Sequence, residues 1–194
     1  MKASTKLWLR SKQAAYFALC RIFGFDRWHY RIVRENCRYF DKVRELYERS
    51  GCSSVVEVGC GLGEIVAGMR AQRRIGIDRD PKVIRAARFL RSHSVIFLEG
   101  MQPDALGSAL QGSGSVCLIF LNWFHACDAG ELQRVAAHYI ENTNATHVIF
   151  DIIKSDARGY RNIHPADVLA AHGDVVAVED AGDDIRQLVL LECR

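Results

Sequence analysis

A chain of 194 residues, 49% apolar and 25% charged, has the ordinary balance of one soluble globular domain with its own core. No apolar run approaches the ~20 residues that cross a bilayer, and the basic start is broken by Arg10, Lys12 and Arg21, against a secretory signal. The seven cysteines form no CxxC pair, which argues against a disulfide framework and for a reducing, cytoplasmic setting.

The net charge of +3 is uneven: residues 1–34 hold eight Lys or Arg against the single acid Asp26. Such a start can touch anionic lipid, nucleic acid or an acidic substrate, or be a solvated helix face. Residues 12–23 read as a helix stopped by Gly24, and 30–49 as a second, with Ile32, Cys37, Phe40, Val43 and Leu46 at helical spacing and Gly51 ending it. The cluster Asp26-Arg27-Trp28-His29-Tyr30 between them suits a lid, an anion site or a packing staple.

From residue 55 strands and helices alternate. Strands are expected at Val55–Val58, Arg74–Ile77, Val95–Leu98, Ser115–Leu121 and His147–Ile153. Helices are expected over 63–71, over 81–91 with Pro81 in its first turn, over 129–141 and over 165–172. Continuous apolar strands between helices indicate a parallel sheet covered on both faces. The polar turn Asp180-Ala181-Gly182-Asp183-Asp184 makes Asp174–Val178 and Arg186–Glu192 an antiparallel hairpin. The fold class is therefore α/β: a seven-stranded, mostly parallel, Rossmann-like sheet with an antiparallel C-terminal hairpin and helices on both faces.

The sharpest local feature is Val55-Val56-Glu57-Val58-Gly59-Cys60-Gly61-Leu62-Gly63-Glu64. Glycines after a strand let backbone pass close to a ligand. The spacing is GxGxG, whereas a dinucleotide site wants GxGxxG and would meet the charge of Glu64 at its third glycine. A nicotinamide oxidoreductase is thus disfavoured.

This segment resembles motif I, (V/L)(D/E)xGxGxG, of class I S-adenosylmethionine-dependent methyltransferases. Asp78 follows 15 residues after Gly63, at the end of the second strand. A carboxylate there can accept both ribose hydroxyls. The resemblance implies S-adenosyl-L-methionine as cofactor, held by Glu57, Gly59, Cys60, Gly61, Gly63, Asp78 and Arg79. Glu99, Gly100 and Met101 stand where the family has a Gly-Asp-Ala-like stretch, with Met101 in place of the usual Asp. Asn122 and Trp123 complete the cofactor set. The resemblance covers about residues 52–194, dividing the chain into an N-terminal helical extension, 1–50, as lid or cap, and a cofactor-binding domain, 51–194.

Chemistry is expected at the end of the fourth strand, in Leu121-Asn122-Trp123-Phe124-His125. The stretch resembles the Asn/Asp-Pro-Pro-aromatic motif of base methyltransferases in its first residue only. Without the two prolines, nucleic acid is not the expected substrate. It is similar instead to small bacterial methyltransferases of sugar-polymer (polysaccharide) and secondary-metabolite synthesis. That implies O-methylation of a small polar acceptor, such as a sugar or a phosphate-bearing sugar precursor. Alternatives are N- or O-methylation of a secondary metabolite, or a cofactor-binding subunit without activity. His125 is the first candidate base, His164 the second, and Asn122 an aligning group. Asp151 either lines the pocket or bonds nearby backbone. No two histidines have metal-ligand spacing, so no metal is expected. The basic start would allow peripheral membrane contact, and the oligomeric state is not encoded.

Overall fold

The computed structural model describes residues 3–30, 39–155, 157, 159–183 and 185–194. Seven strands form one sheet: β1 Ser54–Val58, β2 Arg73–Asp78, β3 Ile96–Glu99, β4 Val116–Phe120, β5 Ala145–Ile153, β6 Gly173–Asp180 and β7 Arg186–Cys193. Their order is β3-β2-β1-β4-β5-β7-β6. The first five are parallel, while β7 runs antiparallel to both β5 and β6, as the terminal hairpin requires.

Among the described residues five α-helices cover the sheet: α1 Ala3–Phe23, α2 Tyr39–Ser50, α3 Pro81–Arg91, α4 Asp104–Ala109 and α5 Ala129–Thr143. One core lies under α1–α3, where Tyr16, Phe40, Val43, Leu46 and Ile84 pack with strand residues Val55, Cys117 and Ile119. The other lies under α4 and α5, where Leu106, Leu132 and Tyr139 meet Val56, Ile75, Leu118 and Phe120. Strand residues alternate between these cores, so β1 and β4 are buried at every position; β4 reads as an unbroken apolar run, while β1 buries Ser54 and Glu57 among its valines. Edge strand β6 has one solvated face and alternates instead.

Local chemistry sets several boundaries. Asp80 caps α3 by accepting the Lys82 N–H at 2.8 Å, with Pro81 in the first turn. Gly24 closes α1 at φ +74°, its N–H donating to the Cys20 carbonyl. The first helix is longer than expected, starting at Ala3, and Tyr30 ends a 3-10 turn, Arg27–Tyr30, rather than opening a helix. The part of the second expected helix over 31–38 lies outside the described residues.

Two expected helices are absent. Over 63–71 there is only a 3-10 turn, Val66–Gly68. The buried Glu57 carboxylate takes the Val66 N–H at 2.8 Å, and Gly63 at φ +73° keeps the preceding backbone non-helical. Over 165–172 the chain makes turns closed by i→i−3 bonds from Val168, Ala170 and His172, since Gly173 already starts β6. The short α4, interrupted by Gly107, carried no readable periodicity.

Gly63 is enclosed. A Cβ there would stand 2.6 Å from the Phe97 ring, in a left-handed backbone conformation. Gly63→Ala is therefore expected to cost at least about 2 kcal/mol in urea unfolding.

Candidate functional site

Strands β1 and β2 lead to crossovers on one side of the sheet, β4 to one on the other. The crevice at this switch point, beyond the carboxyl ends of β1, β2 and β4, is where open α/β sheets bind ligands. A cavity of about 560 Å³ lies there. That is within the ~300–1,000 Å³ of small-molecule sites.

Its floor is the loop after β1. Gly59 and Gly61 have φ of +74° and +53°, so both need glycine. A Cβ on Gly59 would approach Trp123 Cδ1 to 3.3 Å, and one on Gly61 would approach His29 Nδ1 to 3.1 Å. Asp78 at the end of β2 fixes this floor. Its Oδ2 accepts the Gly61 N–H at 2.9 Å and its Oδ1 the Asp80 N–H at 3.0 Å. A carboxylate has about four acceptor sites, so Asp78 keeps capacity for hydroxyls.

Of the residues expected to hold the cofactor, Glu57, Gly59, Cys60, Gly61, Asp78, Arg79, Met101, Asn122 and Trp123 all line the cavity. Gly63, Glu99 and Gly100 do not: Gly63 packs on Phe97, and the Gly100 N–H bonds the Asp78 carbonyl. Cys60 contributes backbone, since its Sγ lies over Gly76. Trp123 donates from Nε1 to the Val58 carbonyl at 3.1 Å, tying the β4 end to the β1 end.

His125 and His164 stand behind the wall. The half-buried His125 ring meets Tyr160 edge-on at 5.2 Å. Burial, with Arg186 and His164 nearby, lowers its pKa. His164 is buried, its Nε2 3.2 Å from the Phe124 carbonyl and 3.0 Å from the Cys127 carbonyl. That nitrogen can only donate there, so His164 braces the loop after β4.

Asn122 reaches the cavity at φ +68° and is held from three sides. Its N–H donates to Asp151 Oδ1 at 2.9 Å, its Nδ2 donates to the Tyr39 hydroxyl at 2.8 Å, and its Oδ1 accepts from Arg186 Nη1. Arg186 also lies over the Tyr39 ring, 4.2 Å from its centroid, and pairs with Asp183 at 2.9 Å. Burial pushes Asp151 up to about 6 against the pull of the Asn122 N–H and Arg186.

Tyr39, Phe40 and Arg186 had no local motif to single them out. The N-terminal segment closes the cavity with Asp26, His29, Tyr39 and Phe40. The side chains of Trp28 and Tyr30 lie outside the described residues. Burial lowers the pKa of His29, opposed by Asp78, Asp80 and Asp26. Glu64, also on the wall, receives bonds from Tyr16 of α1 and from Arg91 of α3, the latter at 2.5 Å, with Lys12 at 3.7 Å. The wall is acidic: Asp26, Glu57, Glu64, Asp78, Asp80 and Glu131 face it, against Arg79 and His29.

No family model and no curated protein sequence matches the chain. Solved structures do. Magnesium protoporphyrin IX methyltransferase (ChlM) from Synechocystis PCC 6803 with bound SAH aligns with a TM-score of 0.66 at 12% identity, over 98% of this chain and 100% of that one. The N-methyltransferase NodS from Bradyrhizobium japonicum WM9, in complex with S-adenosyl-L-homocysteine, gives 0.64 at 16% identity, over 92% and 97%. The methyltransferase domain of bacterial CtHen1 gives 0.62 at 14% identity, over 81% and 98%. The chain has the Rossmann-like methyltransferase fold.

Glu57 makes the unliganded protein sensitive to pH. Burial raises its carboxyl from an ordinary 4.5 to about 8. Between those values the folded state binds more protons than the unfolded one, so this group's contribution to stability falls as pH rises through that window. Glu57→Gln, which keeps an acceptor for the Val66 N–H, should flatten that decline in urea titrations between pH 5 and 8.

Proposed function

We propose that the chain is a methyltransferase using S-adenosyl-L-methionine. The observation that carries this reading is the Asp78 carboxylate, set into the cavity wall while it holds the glycine loop open. Asp78 would take the ribose hydroxyls, the Gly59–Gly61 backbone would lie along the sugar and amino-acid portion, and Met101, Arg79 and Trp123 would flank the adenine. When bound, the cofactor supplies an electrophilic methyl group on a cationic sulfur, transferred by in-line displacement. An acidic wall suits such a cation: with Glu57 held protonated below about 8 and Glu64 paired with Arg91, the carboxylates of Asp26, Asp78, Asp80 and Glu131 are still a poor surround for a dinucleotide's diphosphate. The N-terminal extension, residues 1–50, is the cap: Asp26, His29, Tyr39 and Phe40 exclude water from the reacting end.

Asn122 and Tyr39, held by Asp151 and Arg186, align the acceptor. His125, its pKa lowered by burial with Arg186 and His164 nearby, is the base candidate, standing just behind the cavity wall. His164 serves by positioning the loop after β4. The Asn122-Trp123-Phe124-His125 stretch favours O-methylation of a small polar acceptor, such as a sugar or sugar-containing precursor. The acidic wall favours a second reading, an amine acceptor, and the N-methyltransferase NodS shares the fold. The same charge would repel a phosphate at the methylated end of the acceptor.

Thermal unfolding tests the cofactor. S-adenosylhomocysteine at one hundred times its dissociation constant should stabilise by ~2.7 kcal/mol, a midpoint rise of roughly 5–10 °C. NAD should give none. Asp78→Asn should lose most of the rise while remaining folded. No rise with wild-type protein, or one unchanged in the variant, would contradict the reading.

A further inference from the structure

Among the described residues the two most exposed large apolar side chains are Ile22, 74% accessible in the last turn of α1, and Phe89, 72% accessible on α3. They belong to one place. Phe23, next to Ile22, has its ring 5.9 Å from that of Phe89, and Lys82 of α3 reaches within 3.9 Å of where a Cβ on Gly24 would stand. Single exposed apolar residues are ordinary on any surface, but here the Phe23–Phe89 contact joins the two helices, with Ile22 the residue beside it in the chain.

The rim of this place is cationic. Lys82, Arg85 and Phe89 fall at i, i+3 and i+7 of α3 and are all exposed, so two cations share the stripe that presents the phenyl ring. Arg21 is exposed beside Ile22. None of these three cations enters an ion pair among the described residues. Helix α1 contains no acidic residue to offset Arg21. The chemistry selects among partners. Protein interfaces are depleted in lysine and bury aromatics in a broad apolar core. Isolated bulky apolar tips among Lys and Arg are the pattern of helices lying in the headgroup layer of an anionic bilayer. No helix of the described residues is long and apolar enough to cross a membrane, so such a contact is superficial.

We propose that the α1–α3 patch docks the protein on an anionic lipid surface, with Ile22 and Phe89 entering the headgroup layer and Arg21, Lys82 and Arg85 meeting lipid phosphates. The patch adjoins the cavity. From Ile22 the chain runs in a few residues to Asp26 and His29, and α3 starts directly after Asp80, all three on the cavity wall. Docking by this patch brings the cavity rim toward the membrane surface, where an acceptor carried on a lipid would be presented. The docking itself does not depend on the chemistry proposed for the cavity.

Co-sedimentation with vesicles tests it, using phosphatidylcholine alone and phosphatidylcholine mixed with phosphatidylglycerol. The full chain should bind the mixed vesicles, bind the neutral ones far less, and be released by salt as charge attraction is screened. Ile22→Ser with Phe89→Ser should lower the partition coefficient at least about tenfold. Lys82→Glu or Arg85→Glu should lower it roughly fivefold or more for each cation lost. All four side chains are exposed, so an unchanged thermal midpoint verifies that each variant is folded. Wild-type protein left in the supernatant with mixed vesicles would overturn the proposal, as would variants that bind like wild type. Self-association abolished by the Ile22/Phe89 change, without vesicle binding, would assign the patch to a second copy and equally overturn it.

Discussion

One carboxylate organises the molecule's working end. Asp78 closes β2 and reaches across to the Gly61 N–H, so the last residue of one strand dictates the path of the loop leaving its neighbour. That bond is available because Gly59 and Gly61 adopt left-handed conformations that turn their N–H groups inward without a Cβ in the way. The cavity, its floor and the side chains around it follow from this junction. Asp78 also accepts from Asp80, whose own side chain starts α3, so loop, strand end and helix start share one chain of hydrogen bonds.

A second buried carboxylate works beneath it. Glu57 ends the descent from the glycine loop by taking the Val66 N–H, while Glu64 is pinned by Tyr16 and Arg91 from α1 and α3. The N-terminal helices are therefore integrated with the sheet: Tyr16, Phe40 and Leu46 lie in the same core as Val55 and Ile119. On the far rim the Tyr39–Asn122–Arg186 cluster joins the start of α2, the end of β4 and the start of β7. It can do so because β7 is antiparallel, which brings Arg186 to the same end of the sheet as Asn122. The terminal hairpin thus sets a cation behind Asn122 and Tyr39 of the crevice wall as well as completing the sheet.

What could be read from the sequence was local. Gly59 and Gly61, Asp78 at its spacing and Pro81 in a first turn are each contained in a few consecutive residues, and the structure sets the first three along the cavity and Pro81 at the start of α3. Long-range partnerships were not legible. Tyr39 meets Asn122 across 83 positions and Arg186 meets it across 64, with no periodic signal to join them. His125 and His164 were placed at the correct end of the sheet, yet side-chain direction was beyond reach. Phe124 took the buried position against Phe120 and Phe150, leaving His125 against Tyr160. The helix expected after Gly63 failed because a competing acceptor, Glu57, is remote enough in sequence to be read only as a ligand-facing acid.

Asp78 and the loop it holds are proposed as the site for S-adenosylmethionine. Amide hydrogen exchange with and without S-adenosylhomocysteine tests it most directly, since it reports where a ligand acts rather than only that it binds. Slowed exchange is expected to be confined to residues 59–66, 78–80 and 121–127, with the N-terminal residues 26–30 slowed as they close over the cavity. Protection elsewhere with these segments unchanged, or no protection at saturating ligand, would contradict it.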